Sequence, residues 1–142
     1  MANFVSRRQF TIEWGQCDPA GIVFNSRFFE MFDESAWILF ERALGVPRAD
    51  VFATYDIMGI PLVDARARFM SPVKFGDAVA MESQVGELRR SSFDVQHRLT
   101  VDGRLAVEGS ETRVWAGRDK DDPTRIRSKP IPSEVRAKVR QD

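Results

Sequence analysis

The chain has 142 residues, of which 43% are hydrophobic and 30% are charged, a balance typical of one soluble globular domain. Its 21 basic and 21 acidic residues cancel, which argues against a nucleic-acid-binding protein. The single cysteine and single histidine exclude an internal disulfide and offer no metal-ligand pattern. Neither a signal peptide nor a membrane span is predicted, so we expect a cytoplasmic protein that holds no metal.

The first part of the chain predicts a strand followed by a long apolar helix. Residues 4–14 alternate in part, with Trp14 on the buried side, which predicts a strand with one buried face. Residues 26–44 carry apolar side chains around much of a helical circumference. This pattern predicts a central helix that other elements cover on several sides. A glycine at position 45 and a proline at position 47 end it.

The second part predicts an antiparallel sheet. A short helix and a turn are expected over residues 48–59, and strands follow at 62–69, 79–85, 93–101 and 105–115. Residues 117–129 are polar and predict a loop, and a short helix starts at Pro132. One curved sheet around one central helix satisfies this order. The exposed edges of such a sheet favour dimerisation by edge pairing.

The loop before the central helix carries a candidate catalytic acid. Asp18 lies in a tight Pro/Gly turn, and Asn25 or Ser26 is expected to cap the helix that follows. A carboxylate close to a helix N-terminus suits attack on a carbonyl, because the helix end stabilises the oxyanion that develops. Asp18 would then attack the carbonyl or activate water.

Two alternatives apply to this loop. An aspartate in a surface turn is the simplest interpretation of the spacing alone. Cys17 is a second candidate nucleophile, but its only possible histidine partner, His97, lies far along the chain in a predicted strand.

Residues 18–23, with the sequence DPAGIV between a strand and an apolar helix, resemble the hotdog-fold acyl-CoA thioesterases of the 4-hydroxybenzoyl-CoA thioesterase type. The similarity covers nearly the whole chain and continues in order through residues 59–61, 69–77, 87–93, 113–115 and 130–132. It implies an α+β hotdog fold over residues 1–142, with an antiparallel sheet wrapped around a long central helix.

The resemblance also implies a site at the interface of a homodimer or homotetramer. Asp18 would be the nucleophile or general base, and the backbone N–H of Asn25 would polarise the thioester carbonyl. Gly21, Asp33 and Ile60 would contact the acyl group, with Asp33 able to accept a hydrogen bond from a phenol. A helix acid favoured by the helix dipole is the alternative for Asp33.

The nucleotide end of coenzyme A is placed by the same resemblance at Arg89, Arg90 and Ser91. Guanidinium groups bind phosphates well, and Arg113 and Arg118 are weaker candidates for this contact. A basic pair at a strand edge is otherwise a solvated feature that limits aggregation. Coenzyme A is part of the substrate, so no separate cofactor is expected.

The chain departs from many bacterial members of the family in carrying Asn25 in place of histidine and Arg27 in place of asparagine. Arg27 lies either over the pocket mouth or on a solvated helix face. The predicted function is hydrolysis of an acyl-CoA thioester, with aryl or hydroxybenzoyl groups favoured. The alternatives are an aliphatic acyl-CoA thioesterase, a hotdog dehydratase, a non-catalytic acyl-CoA-binding protein and a structural dimer.

Overall fold

The structure is a computed structural model that describes residues 2–141. Its helices are α1 (Asn25–Leu44), α2 (Arg48–Tyr55) and α3 (Ser133–Val139), with a 3₁₀ turn at Trp14–Gln16. Its strands are β1 (Ala2–Asn3), β2 (Val5–Thr11), β3 (Leu62–Phe69), β4 (Ala78–Leu88), β5 (Ser92–Val101), β6 (Arg104–Val114), β7 (Ala116–Arg118), β8 (Ile126–Ser128) and β9 (Arg140–Gln141). Within residues 2–141, no helix is both long enough and apolar enough to cross a bilayer.

Five strands form one antiparallel sheet in the spatial order β2-β4-β5-β6-β3. The hairpin between β5 and β6 turns at Asp102 and Gly103, whose φ angles of 51° and 76° are the left-handed values that a two-residue hairpin turn requires. Strands β2 and β3 are the two edges of this sheet. The short pairs β1–β9 and β7–β8 lie outside it.

Helix α1 packs across the sheet because its apolar residues recur at helical spacing. Phe28, Phe32, Leu39 and Phe40 are all at most 3% exposed and divide between two core clusters along the helix. Gly45 ends the helix in the left-handed conformation, with φ of 68°. The predicted central helix and its C-terminal end are therefore confirmed.

Phe32 fixes the position of α1 over the middle of the sheet. Its ring stacks on the ring of His97, with centroids 4.9 Å apart and planes 6° apart. The cross-strand neighbour of His97 is Gly109, where an added Cβ would lie 2.5 Å from Cζ of Phe32. The aromatic ring therefore occupies the space that any other residue at position 109 would need.

Two sequence-based expectations about local structure are wrong. Trp14 is 58% exposed and belongs to a 3₁₀ turn, because Glu13 and Gln16 make reciprocal capping contacts that end the extended chain after Thr11. Residues 117–129 are not only a loop, because they contain most of the β7–β8 hairpin. The N–H of Asp119 donates to the carbonyl of Arg125 at 3.0 Å and closes the hairpin loop, and the Asp119 carboxylate accepts a hydrogen bond from the N–H of Asp121 at 2.8 Å.

We predict that Gly109→Ala destabilises the protein by about 1–3 kcal/mol, because a methyl group there overpacks the core against Phe32. Gly86→Ala is the matched control, since an added Cβ at Gly86 comes closest to the end of the flexible Gln96 side chain, at 3.2 Å, and its other contacts, at 3.5 Å, are ordinary van der Waals distances. Urea unfolding of both variants measures the difference. Equal stability losses in the two variants would contradict the packing described for Phe32.

Candidate active site

The loop that carries Asp18 is a tight turn held by its own backbone. The N–H of Gly21 donates to the carbonyl of Asp18, and the N–H of Asp18 donates to the carbonyl of Ile22, both at 2.9 Å. The Asp18 carboxylate accepts a hydrogen bond from the N–H of Ala20 at 2.8 Å. Gly21 has φ of 81°, a left-handed value that favours glycine. Asp18 is half-buried, so the turn presents an oriented carboxylate that solvent still reaches.

Asn25 is the first residue of α1 and not its cap. The N-cap position belongs to Phe24, which has no side-chain capping bond, so the expectation that Asn25 or Ser26 caps the helix is wrong. Within residues 2–141 the structure records no hydrogen bond from the Asn25 N–H. A first-turn N–H lacks an intrahelical acceptor by geometry, so this group is a donor available to a ligand. Asn25 lines a cavity of about 200 Å³ with Phe69 and Met70.

A second cavity brings together two of the residues predicted to contact the acyl group. Asp33 and Ile60 line a space of about 330 Å³ with Trp37, Met58 and Arg113. The walls are mainly aromatic and aliphatic, and the charged groups come from Asp33 and Arg113. This composition suits a small apolar group that carries one polar substituent.

Arg113 is buried, and its guanidinium is used inside the protein. It donates to the Asp33 carboxylate at 2.8 Å, to the Glu111 carboxylate at 2.7 Å and to the carbonyl of Ile60 at 3.0 Å. Its side chain is 3% exposed. The expectation that Arg113 binds coenzyme A is therefore corrected, because its donors already have protein acceptors and the bulk of the side chain lies in the core.

Glu111, which contacts Arg113, is in turn bonded to His97, so the hydrogen bonds of Arg113 extend across the sheet. The Nε2 atom of His97 lies 2.7 Å from Glu111, and Nδ1 lies 2.7 Å from the Ser83 hydroxyl. The His97 side chain is 0% exposed. A histidine so enclosed cannot pair with Cys17, whose Sγ instead lies 3.6 Å from the carbonyl of Glu13. The same burial removes His97 as the base of a dehydratase.

A third cavity, of about 890 Å³, is strongly basic. Its charged lining comprises five cations and one carboxylate, namely Arg90, Arg118, Lys120, Arg127, Lys129 and Asp56. Most of these cations lie on or beside the β7–β8 hairpin, in the run predicted to be a polar loop. The density of basic residues in that run is the sequence signal that points to an anion-binding cavity.

The residues predicted to bind coenzyme A fall in different environments. Arg90 lines the basic cavity. The Arg89 guanidinium contacts Asp94 at 2.6 Å and Glu87 at 3.2 Å, and the hydrogen bond with Asp94 raises the pKa of Arg89. Ser91 supports the sheet end through its carbonyl, which accepts a hydrogen bond from the Trp115 N–H at 2.7 Å. Arg90 is therefore the member of this group that is best placed for an incoming phosphate.

Arg27 occupies the solvated helix face that was one of its two interpretations. It pairs with Glu30 one turn later at 3.0 Å, and both side chains are well exposed. Among residues 2–141, no cluster of three or more histidine, cysteine, aspartate or glutamate side chains has an arrangement that fits a metal ion. The absence of a bound metal stays a prediction.

Residues 12–139 match the family model described as the thioesterase-like superfamily. The chain belongs to that superfamily. Among its relatives, the 4-hydroxybenzoyl-CoA thioesterase of Pseudomonas sp. (strain CBS-3) is 30% identical over 139 residues, which cover 94% of this chain and 96% of the relative. The resemblance seen in the sequence is therefore confirmed.

Two solved structures are similar over nearly their full lengths. One is an Asp-to-Asn mutant of 4-hydroxybenzoyl-CoA thioesterase complexed with 4-hydroxybenzoyl-CoA, with a TM-score of 0.86, 26% identity and coverage of 96% of this chain and 99% of that chain. The other is a gentisyl-coenzyme A thioesterase, with a TM-score of 0.79, 30% identity and coverage of 94% and 99%. These matches confirm the hotdog fold and the assignment to the acyl-CoA thioesterases.

We predict that Glu111 makes stability depend on pH in the acid range. Burial raises the pKa of Glu111, but hydrogen bonds from His97 and Arg113 outweigh burial and hold this pKa below the ordinary value of 4.5. The folded state therefore binds fewer protons than the unfolded chain near that pH. The stabilisation is complete above pH 4.5 and is lost as the pH falls through the lowered folded pKa.

Glu111→Gln should lower the free energy of unfolding by about 3 kcal/mol at neutral pH, because it leaves the buried Arg113 without a full counter-charge. Its stability should also vary less with pH in the acid range than that of the wild type. Urea unfolding from roughly pH 3 to pH 7 measures both effects. Glu108→Gln is the control, because the Glu108 side chain, on the same strand, is 41% exposed and lies 3.9 Å from Arg98. If both variants behaved alike, the buried network would not carry this stability.

Proposed function

We propose that this protein hydrolyses aryl-CoA thioesters, with hydroxybenzoyl groups favoured, at a site that two copies of the chain form together. The observation that carries the proposal is that the basic cavity adjoins the cavity lined by Asp33 and Ile60, which we call the acyl cavity. The two cavities share Phe52 and Met58 in their walls. A ligand with phosphates at one end and a small aromatic acyl group at the other fits this pair of cavities. The relatives that act on 4-hydroxybenzoyl-CoA and gentisyl-coenzyme A support the same substrate class.

The basic cavity is the proposed site for the phosphates of coenzyme A. Arg90 and Arg127 are exposed and line it, and guanidinium groups form charge-assisted hydrogen bonds with phosphate oxygens. Apolar residues in the same wall, Phe52 and Ile57, give the adenine ring a surface to pack on. The net positive lining would also draw an anionic substrate toward the protein.

The proposed chemistry uses the Asp18 carboxylate and the Asn25 N–H. In one route, Asp18 attacks the thioester carbon, the C–S bond breaks, the coenzyme A thiolate leaves and water hydrolyses the mixed anhydride. In the other route, Asp18 takes a proton from a water molecule that attacks the same carbon. The tetrahedral intermediate then collapses, the C–S bond breaks, and coenzyme A leaves as its thiolate or takes the proton from Asp18. In both routes the Asn25 N–H donates to the carbonyl oxygen as negative charge develops on it.

The proposed site needs a second copy because one chain holds its two parts in separate places. Asp18 lines neither the acyl cavity nor the basic cavity. The edge strand β3 leaves Val63 62% exposed and Phe69 49% exposed, and Phe69 lies in the wall beside Asn25. A second copy against this edge would cover apolar surface and bring its cavities to the first copy's Asp18. A homodimer, or a tetramer built from two such dimers, satisfies this requirement.

We predict that Asp18→Asn lowers kcat at least about a hundredfold, because an amide neither attacks as a carboxylate nor accepts a proton effectively. Melting temperature should change little, since backbone hydrogen bonds hold the turn. Steady-state hydrolysis of 4-hydroxybenzoyl-CoA with a thiol-trapping dye measures the loss. Cys17→Ser is the matched control and should be nearly silent. Loss of activity in Cys17→Ser with retention in Asp18→Asn would assign the chemistry to the thiol.

We predict that the double variant Arg90→Ala, Arg127→Ala raises KM for an aryl-CoA about tenfold with kcat largely kept, because phosphate contacts are similar in the ground and transition states. A truncated thioester of the same acyl group, lacking the nucleotide, is the control substrate, and its KM should not change. If the KM of the truncated thioester rose by the same factor, the two arginines would have a structural role.

A panel of acyl-CoA thioesters separates the remaining alternatives. Faster release of coenzyme A from aliphatic than from aryl thioesters would indicate the aliphatic enzyme. Thermal stabilisation by acyl-CoA without turnover would indicate a non-catalytic binding protein. We expect turnover that is fastest with a hydroxylated aromatic acyl group.

A further inference from the structure

A continuous network of polar contacts runs through the sheet to the wall of the acyl cavity. It links Ser83 on β4, His97 on β5, Glu111 and Arg113 on β6, and Asp33 on α1, with heavy-atom distances of 2.7, 2.7, 2.7 and 2.8 Å. Its first four members are at most 2% exposed. The hydrolysis described above uses none of these four buried residues.

Each donor in this network of polar contacts faces an acceptor, and Glu111 accepts from both of its neighbours. Glu111 accepts from Nε2 of His97 at one end and from Arg113 at the other. The Ser83 hydroxyl lies 2.7 Å from Nδ1, so both ring nitrogens of His97 have a hydrogen-bond partner. The Glu111 carboxylate therefore has the Arg113 guanidinium on one side and the His97 ring on the other. This arrangement holds the guanidinium of Arg113 in one place.

Asp33 is the exposed end of this polar network. Its side chain is 58% exposed, although the Arg113 side chain that it contacts is only 3% exposed. Arg113 bonds to Oδ1 of Asp33, and within residues 2–141 the structure records no hydrogen bond to Oδ2. Asp33 therefore presents an unused acceptor in the wall of the acyl cavity.

The packing of α1 also holds Asp33 in place. Phe32, the residue before Asp33, is stacked on His97 and lies against Gly109. The backbone of Asp33 is therefore held by apolar packing, and its carboxylate is held by Arg113. An exposed aspartate without such a partner samples several rotamers and loses that freedom when it binds a ligand.

We propose that Arg113 is a positioning residue, which holds the Asp33 carboxylate so that it accepts a hydrogen bond from a hydroxyl on the aromatic acyl group. Glu111, His97 and Ser83 fix Arg113 from behind. Arg113 then sets the preference between hydroxylated and unsubstituted aromatic acyl groups without touching the reacting carbon. This inference rests on the proposed function for its choice of substrate.

The test compares kcat/KM for 4-hydroxybenzoyl-CoA with kcat/KM for benzoyl-CoA, because their ratio cancels losses that affect both substrates. Asp33→Asn and Arg113→Met should each lower the ratio about tenfold, the scale of a hydrogen bond to a charged group. The double variant should lower it no further, since both changes remove one interaction. An unchanged ratio in Arg113→Met, or additive losses in the double variant, would overturn the proposal.

Two further variants separate positioning from folding. Arg113→Lys keeps the buried positive charge and should retain the fold while recovering only part of the ratio, because an ammonium lacks the planar fork that spans Glu111 and Asp33. Arg98→Met is the control, since Arg98 is 54% exposed on the neighbouring strand and should leave the ratio at the wild-type value. If Arg113→Lys kept the wild-type ratio of the two kcat/KM values, the positive charge alone would suffice, and the positioning role would be overturned.

Crystal structures of the wild type and Arg113→Lys provide a readout that does not depend on turnover. The Asp33 carboxylate should leave its wild-type place while the backbone of α1 stays, because Phe32 still holds the helix. An unmoved carboxylate would overturn the proposal. If the wild type hydrolysed neither thioester, the proposed function would fail, and the two structures would still decide the role of Arg113.

Discussion

The packing of Phe32 between α1 and the sheet is the constraint on which the rest of the structure depends. Its ring stacks on His97 at 4.9 Å and occupies the space above Gly109. Once this contact is made, α1 has one position over the sheet. Asn25 and Asp33 lie on that helix eight residues apart, about 12 Å along its axis. The helix fixes the separation of these two groups, and the Phe32 contact fixes where both lie relative to the sheet.

The same fold leaves the two halves of the proposed site unjoined within one chain. The turn of Asp18 and the N-terminus of α1 lie at one place, and the acyl and basic cavities share walls at another. A five-stranded sheet with one long helix on it also leaves the edge strand β3 partly uncovered. Dimerisation through β3 would cover this edge, and it would also bring the Asp18 turn of each copy to the cavities of the other copy.

The elements that local periodicity determines were predictable from the sequence. The central helix and the strands of the sheet have apolar patterns that follow directly from which face is buried. The role of Arg113 was not predictable, because its contact with Asp33 joins residues eighty positions apart. The basic cavity was also missed, since short outward-facing strands such as β8 show no burial pattern. The Asn25 donor came from the family resemblance, whereas a capping role is what its residue type suggests.

Subunit mixing tests the central claim, a site shared by two copies, most directly. Asp18→Asn chains would be co-refolded with chains that carry Arg90→Glu and Arg127→Glu, and hydrolysis of 4-hydroxybenzoyl-CoA would be measured at low substrate concentration. Each mixed dimer would contain one intact site, so an equal mixture should recover up to about a quarter of wild-type activity. Activity no greater than the sum of the two separate variants would contradict the account.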